Sequence, residues 1–317
     1  NHMTHRVLIP ETVAQEGIEY LEEHGYQVKR GHGIDHLSLL EDIQDCDAAL
    51  VRVAIIDQEI IEKNPQLKVI AKHGAGYDNI DVGAAEKQGV RVVFAPNANS
   101  LSVAEHTMAL LLACAKKIPY FSREYANGNP QVRDLYPNDE IHGKCLGLLG
   151  LGRIGMAVAN MAIHGFGMRV IAYDPFLAEN RDIGEVKLVH NRDELLAQAD
   201  YVSVHIPATP ENIKSISNHE FQIMKPTAVL INAARGKIVD ETALERAIRN
   251  KEIAGAGLDV SDPEPAVPDN PLFHMDEVIM TPHCAGTTHE AMVRMVLDAA
   301  KGIDEVFSGR EPTYKII

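Results

Sequence analysis

Short apolar runs recur along the chain, each closed by a glycine, a proline or a polar residue. Between them lie longer stretches in which apolar residues return every three or four positions. The runs at 6–9, 26–29, 48–51, 67–71 and 90–94 predict five strands in the first hundred residues, and those at 145–149, 170–173, 201–204, 228–231, 256–258 and 278–280 predict six more. Strands that alternate with helical patterns in this way argue for α/β architecture, with parallel sheets covered by helices on both faces. Ser102-x-x-Glu105 has the spacing of a capping box and predicts a helix from there to about Lys117. That helix is apolar nearly all round (Val103, Met108, Ala109, Leu110, Leu111, Leu112, Ala113), which predicts burial between domains or at a subunit contact. His106 within it reads as a core histidine. Residues 127–142, rich in Gly, Pro and charge, read as an irregular excursion. A second box, Thr287-x-x-Glu290, opens a final helix whose apolar positions run from Met292 to Phe307, with Gly309 as its stop.

The most informative junction is Gly150-x-Gly152-x-x-Gly155, set between the 145–149 run and a helical pattern. Gly150 permits a sharp turn, Gly152 lets a pyrophosphate approach the backbone, and Gly155 lets helix and strand pack closely. The helix N-terminus behind them offers unpaired N–H groups to phosphates. The next strand ends at Asp174, 24 residues after Gly150, where a carboxylate can accept hydrogen bonds from an adenosine ribose. Strand, glycine turn, helix, strand and acid together predict a dinucleotide site, with NAD favoured over NADP by the carboxylate.

Bulk properties narrow the class. A length of 317 residues exceeds what one core usually holds, so two domains are expected. The net charge of −15 argues against nucleic acid or an anionic membrane as the main partner. There is no apolar run long enough to span a bilayer, and no signal peptide is recognisable. Asn1-His2 before Met3 reads as a cloning remnant. The cysteines (Cys46, Cys114, Cys145, Cys284) are scattered, with no metal-binding spacing, and read as reduced thiols of a cytoplasmic protein.

Candidate chemistry gathers at strand ends. In a parallel sheet all carboxyl ends share one edge, so the glycine turn, Arg235, Asp259, Glu264 and His283 are expected beside the dinucleotide. Reduction of a 2-keto acid needs a hydride at C2 and a proton for the developing alkoxide. A histidine supplies that proton near neutral pH, a carboxylate beside it favours the imidazolium, and an arginine grips the substrate carboxylate. The stretch Lys72-His73-Gly74-Ala75-Gly76-Tyr77-Asp78-Asn79-Ile80-Asp81 follows the fourth strand and exposes backbone N–H groups that could hold a carboxylate; read by itself it is a plain turn.

Taken together, these stretches resemble the D-isomer-specific 2-hydroxyacid dehydrogenase family, and within it the 3-phosphoglycerate dehydrogenase-like branch. The resemblance is carried by Gly74 to Asp81, Ser102-Val103-Ala104-Glu105, the glycine turn, Asn232-Ala233-Ala234-Arg235-Gly236, Gly257 to Val260 with Pro263-Glu264-Pro265, and Thr281-Pro282-His283-Cys284-Ala285-Gly286. It implies two doubly wound domains with a cleft between them: a flavodoxin-like substrate domain (3–100 with 289–317) and a Rossmann cofactor domain (101–288). It implies a homodimer formed through the cofactor domain. Arg235 falls on the substrate-binding position, Glu264 on the histidine's partner and His283 on the acid/base. Gly150, Gly152, Arg153, Ile154, Gly155, Asp174, Pro207, Ala233, Ala234, Asp259, Ala285 and Gly286 fall with Arg235 and His283 on cofactor positions. Ala75 and Gly76 fall on the carboxylate loop. Arg52 and Lys72 fall where the branch holds a substrate phosphate, with Lys72 in place of an arginine. The resemblance thus implies an NAD-dependent oxidoreductase without a metal, acting first on 3-phosphoglycerate and, as the alternative, on hydroxypyruvate or glyoxylate. Tyr77 departs from the smaller apolar residue of the branch, and Cys284 is unusual after the histidine. Related proteins include corepressors that sense NAD, against which the intact Arg235, Glu264 and His283 favour the enzyme, and formate dehydrogenase, which resembles this family but pairs its histidine with glutamine, so Glu264 argues against it.

Overall fold

The computed structural model describes residues 3–317; Asn1 and His2, read above as a cloning remnant, lie outside the described residues. The chain folds as two compact units, one ending at Asn99 and resuming at Gly286–Ile317, the other spanning Ser100–Ala285.

The first unit is built on five parallel strands: β1 (Arg6–Ile9), β2 (Gln27–Arg30), β3 (Ala48–Val51), β4 (Val69–Lys72) and β5 (Arg91–Val93). Their order is β2-β1-β3-β4-β5, so the strand sequence reverses between β1 and β3. That is the flavodoxin-like order, and the reversal is where such sheets bind ligands. Leu21, Val296, Ala299 and Ile303 cover one face, from helices Gln15–Glu23 and His289–Phe307. Leu39, Ile60, Ile61 and Ala85 cover the other. The two helices on the first face approach so closely that a Cβ on Gly17 would stand 2.2 Å from Val296.

The second unit holds seven strands: β6 (Cys145–Leu149), β7 (Arg169–Tyr173), β8 (Lys187–Leu188), β9 (Tyr201–Val204), β10 (Val229–Asn232), β11 (Gly255–Leu258) and β12 (Val278–Met280). Their order, β12-β11-β10-β9-β6-β7-β8, is the Rossmann order extended by one strand, and it reverses between β6 and β9. One face is packed by Leu195, Phe221, Leu244 and Ala247. The other is packed by Ala104, Met108, Leu111, Val158 and Ala159.

Several local expectations shift. The short β8 has only two residues and no apolar run to announce it. The first long helix is Ser100–Lys116, so Ser102 lies inside it rather than capping it. Within the single chain it packs on the sheet and on the helix Arg153–Asn160, burying Val103, Met108 and Leu111 and leaving Leu101 56% exposed. The final helix is capped by Thr288, whose hydroxyl accepts the Ala291 N–H, one residue later than the pattern suggested. A full capping box occurs instead at Ser217 and Glu220. The excursion at 127–142 contains the short helix Val132–Leu135, preceded by the amphipathic helix Ile118–Ala126.

Candidate active site

The glycine turn follows β6 at the strand reversal of the second sheet. Gly150 is left-handed, at φ +97°, and a Cβ on it would fall 2.3 Å from the His205 carbonyl oxygen. Gly155 is held by a similar approach, 2.8 Å from the Gly150 carbonyl oxygen. Both glycines are therefore demanded by the fold itself. Gly152 is different: its φ of −80° suits any residue and a Cβ there would meet nothing within 4 Å. The open space beside it, with the helix Arg153–Asn160 starting at this point and Arg153 exposed, fits a dinucleotide pyrophosphate. Asp174 sits at the end of β7, close to the turn. Its Oδ2 accepts the Leu151 N–H at 2.9 Å and its Oδ1 the Phe176 N–H at 2.9 Å. Arg181, not anticipated from the sequence, donates to the Leu151 carbonyl and so also holds the turn. Pro207 is exposed on the loop after β9, its carbonyl accepting from Asn212. Ile154 is half-buried against the core behind the turn.

Around the turn after β10, buried Asn232 does the shaping. Its Oδ1 accepts the Ala234 N–H at 3.0 Å and its Nδ2 donates to the Arg235 carbonyl at 3.0 Å, fixing Ala233, Ala234 and Arg235 as one tight loop. The Arg235 guanidinium donates to the Ala234 carbonyl and lies near enough to His283 to oppose its protonation. Gly236 passes under Ser261, where a Cβ would stand 2.0 Å from the carbonyl oxygen, bringing this loop against the one that carries Glu264.

His283 Nδ1 lies 2.8 Å from Glu264 Oε2. The imidazole pKa is raised chiefly by that hydrogen bond; desolvation opposes it, the charges of Glu264 and Asp259 add to it, and Arg235 subtracts. The pair is solvent-accessible, with His283 49% exposed, so the imidazole's Nε2 side can meet a ligand. His283 has a left-handed backbone, at φ 51°, which costs a non-glycine residue about 1–2 kcal/mol and must be enforced by its surroundings. Asp259 enforces it: the carbonyl accepts the His283 N–H at 2.8 Å, and the carboxylate accepts the N–H groups of Cys284 and Ala285. Arg235, Glu264, His283, Asp259 and Ala285 are thus brought together in one unit, whereas Gly286 belongs to the other.

The candidates in the first unit are engaged within it. The buried Lys72 ammonium donates to the Arg52 carbonyl and, at 2.9 Å, to Asn79 Oδ1. Arg52 donates to the Thr12 carbonyl. Glu11 was not anticipated. Its carboxylate accepts the N–H groups of Arg52, Val53 and Ala54 at the strand reversal of the first sheet. Ala75 and Gly76 are half-exposed on the loop after β4, while Tyr77 is 40% exposed and stands edge-on to Phe94. His73, at the start of that loop, is pushed by burial down to about 4 and is neutral at ordinary pH.

Two doubly wound parallel sheets, one with a dinucleotide turn and an arginine, glutamate and histidine at its carboxyl edge, define a class of nucleotide-dependent dehydrogenase folds. Known proteins fix the family. The profile of the D-isomer specific 2-hydroxyacid dehydrogenase NAD binding domain matches residues 108–285. D-3-phosphoglycerate dehydrogenase of Archaeoglobus fulgidus is 41% identical over 96% of this chain and 58% of its own length, so the chain spans a little over half of that relative. Glyoxylate reductase of Korarchaeum cryptofilum is 35% identical over 98% of this chain and 95% of its own. Among solved structures, the TT0316 protein from Thermus thermophilus superposes with a TM-score of 0.87 at 34% identity, covering 98% of this chain and all of that one. The chain belongs to the D-isomer specific 2-hydroxyacid dehydrogenase family, and its second unit is that family's NAD-binding domain.

Proposed function

We propose that the protein is an NAD-dependent oxidoreductase interconverting a small D-2-hydroxy acid and its 2-keto acid. The observation that carries this reading is the 2.8 Å contact between His283 Nδ1 and Glu264, at a sheet edge that also presents Arg235 and the open ground beside Gly152. When bound, NADH supplies the hydride that reduces the keto carbon. Glu264 keeps the His283 ring protonated and oriented, so that its other nitrogen can deliver a proton to the developing alkoxide. Arg235 grips the substrate carboxylate, a group that the planar guanidinium fork matches. Gly150, Gly152, Arg153 and Gly155 serve the pyrophosphate, and Asp174 serves the ribose.

For the acid itself, 3-phosphoglycerate is the first candidate, since relatives near 40% identity bear that dehydrogenase name. Arg52 and Lys72 would then hold the phosphate, with Ala75 and Gly76 at the carboxylate. Glyoxylate or hydroxypyruvate is the second candidate. It is favoured by the internal partners of Lys72 and by the Glu11 carboxylate, which occupies the turn a phosphate would approach. The test is a spectrophotometric screen of 2-keto acids with NADH and NADPH. Turnover of 3-phosphohydroxypyruvate well above glyoxylate supports the first candidate, and the reverse supports the second. No turnover of any 2-keto acid would sink the reading, and equal efficiency with NADPH would remove Asp174 as selector.

We also propose a homodimer, supported by the helix Ile118–Ala126, which buries none of its residues, and by exposed Tyr125, Leu135 and Tyr136 beside it. A cytoplasmic setting is supported by four cysteines that are not joined in disulfides. Among the described residues no helix is long and apolar enough to cross a membrane.

A further inference from the structure

Three elements of the second unit meet at the Asp259 side chain, which is fully buried. Its Oδ1 accepts the Thr281 hydroxyl at 2.6 Å and the Cys284 N–H at 2.9 Å; its Oδ2 accepts the Ala285 N–H at 3.0 Å. The outermost member is His106, from the middle of the helix Ser100–Lys116. Its Nε2 lies 3.0 Å from Thr281 Oγ1 and 3.5 Å from Asp259 Oδ1.

Proton counting fixes the direction of this chain. A threonine hydroxyl has one proton, and an ionised carboxylate has none to give. The 2.6 Å contact between Thr281 and Asp259 is attractive only if the Thr281 proton lies in it. The hydroxyl therefore offers His106 a lone pair, and His106 Nε2 must carry the hydrogen. The series runs His106 N–H to Thr281 O–H to the Asp259 carboxylate, which also accepts the Cys284 and Ala285 amides that directly follow His283. Each donor polarises the next. A leucine would suit the apolar helix better than a histidine does, so the imidazole needs a task, and this donation is one.

His106, Asp259 and Cys284 also offer three ligand atoms within 4.8 Å of one another, the outline of a metal site. The donors already on Asp259 argue against it. Two backbone amides and a hydroxyl occupy the carboxylate, and the Cys284 thiol points at the same oxygen as a further donor, 3.6 Å away.

We propose that His106 is a positioning residue: through Thr281 and Asp259 it holds the loop that aims His283 at Glu264. The inference rests on the reading of His283 as the acid/base. The groups that face His283 are Glu264, Asp259 and Arg235, so any loosening of the loop registers as a changed balance among them.

The test compares His106→Leu, which keeps the volume but loses the donor, with His106→Gln, which restores an N–H. In each variant two quantities are measured with NADH present: kcat and KM for the best 2-keto acid, and the His283 titration midpoint by NMR. His106→Leu is expected to lower kcat about tenfold with little change in KM or NADH affinity, and to lower the His283 midpoint, as the contact with Glu264 loosens. His106→Gln should recover most of both. Thr281→Val against Thr281→Ser gives the same comparison should His106→Leu fail to fold. A His283 midpoint that stays put in His106→Leu and Thr281→Val overturns the proposal, as does equal impairment by Leu and Gln. The NMR reading needs no turnover, so a protein inactive on every 2-keto acid would refute the dehydrogenase reading while still deciding whether His106 governs His283.

Discussion

At the scale of single residues, the two catalytic candidates with complementary charge carry the clearest pH prediction. Glu264 raises the His283 pKa, and reduction of a keto acid needs the protonated ring, so activity is lost as pH rises through that raised value. Glu264→Gln removes the charge and leaves at most a neutral, weaker hydrogen bond to the ring. The alkaline limit of kcat/KM for reduction should therefore move to lower pH, as a pH–rate profile will show, and an unchanged limit would separate the two residues. The glycine turn gives a second prediction. Gly150→Ala forces a Cβ into the His205 carbonyl at positive φ and should destabilise the fold by about 1–3 kcal/mol or more. Gly152→Ala, with open space and an ordinary φ, should leave Tm nearly unchanged while weakening NADH binding in a fluorescence titration. If Gly152→Ala bound NADH normally, the pyrophosphate would have to sit elsewhere. That Arg235, Glu264 and His283 would gather in one place could be read from the sequence because each follows a strand end closely. The contacts behind them could not: Thr281 meets Asp259 from 22 residues away and His106 meets Thr281 from 175, and no local pattern marks such a pair. Lys72 shows the converse, a cation at the expected strand end whose ammonium the fold itself engages.

At the scale of elements, legibility followed burial. Strands buried on both faces, such as β3, β4, β9 and β10, leave continuous apolar runs that can be read directly. The edge strand β8 has two residues, one of them exposed, and leaves no such trace. Helix starts were harder: Ser102 lies inside its helix, past the start at Ser100, and Thr287 stands one residue ahead of the true cap. The final helix shows the consequence and allows a test. Thr288 is its cap, so Thr288→Ala should cost about 1 kcal/mol in urea unfolding, with Thr288→Ser nearly neutral. Gly17→Ala pushes a methyl into Val296 across the same helix pair and should cost about 1–3 kcal/mol. A neutral Gly17→Ala would mean that the pair can separate without loss, and that its packing contributes less than its closeness suggests.

At the scale of the whole molecule, the two units share one kind of strand reversal and differ in what the loops place there. Both sheets reverse direction once, and each reversal opens a crevice at the carboxyl edge. In the second unit the glycine turn leaves that crevice open; in the first, Glu11 fills it with the chain's own carboxylate. Assembly is the other property of this scale, and the exposed surface argues it. The helix Ile118–Ala126 is amphipathic yet has no fully buried residue in the single chain, and Ile118, Tyr125, Leu135 and Tyr136 are each more than half exposed. An apolar surface of this kind is stabilised by contact with another. Two copies each carrying −15 repel one another, and salt screens that repulsion, so association through this surface should strengthen as ionic strength rises. Sedimentation at physiological salt should give a mass of twice the 34.8 kDa chain over a wide concentration range. Tyr125→Asp combined with Leu135→Asp should shift it to one chain's mass without lowering helical content. A wild-type protein that sediments as a single chain at every concentration and salt would leave the helix without a partner and remove the dimer.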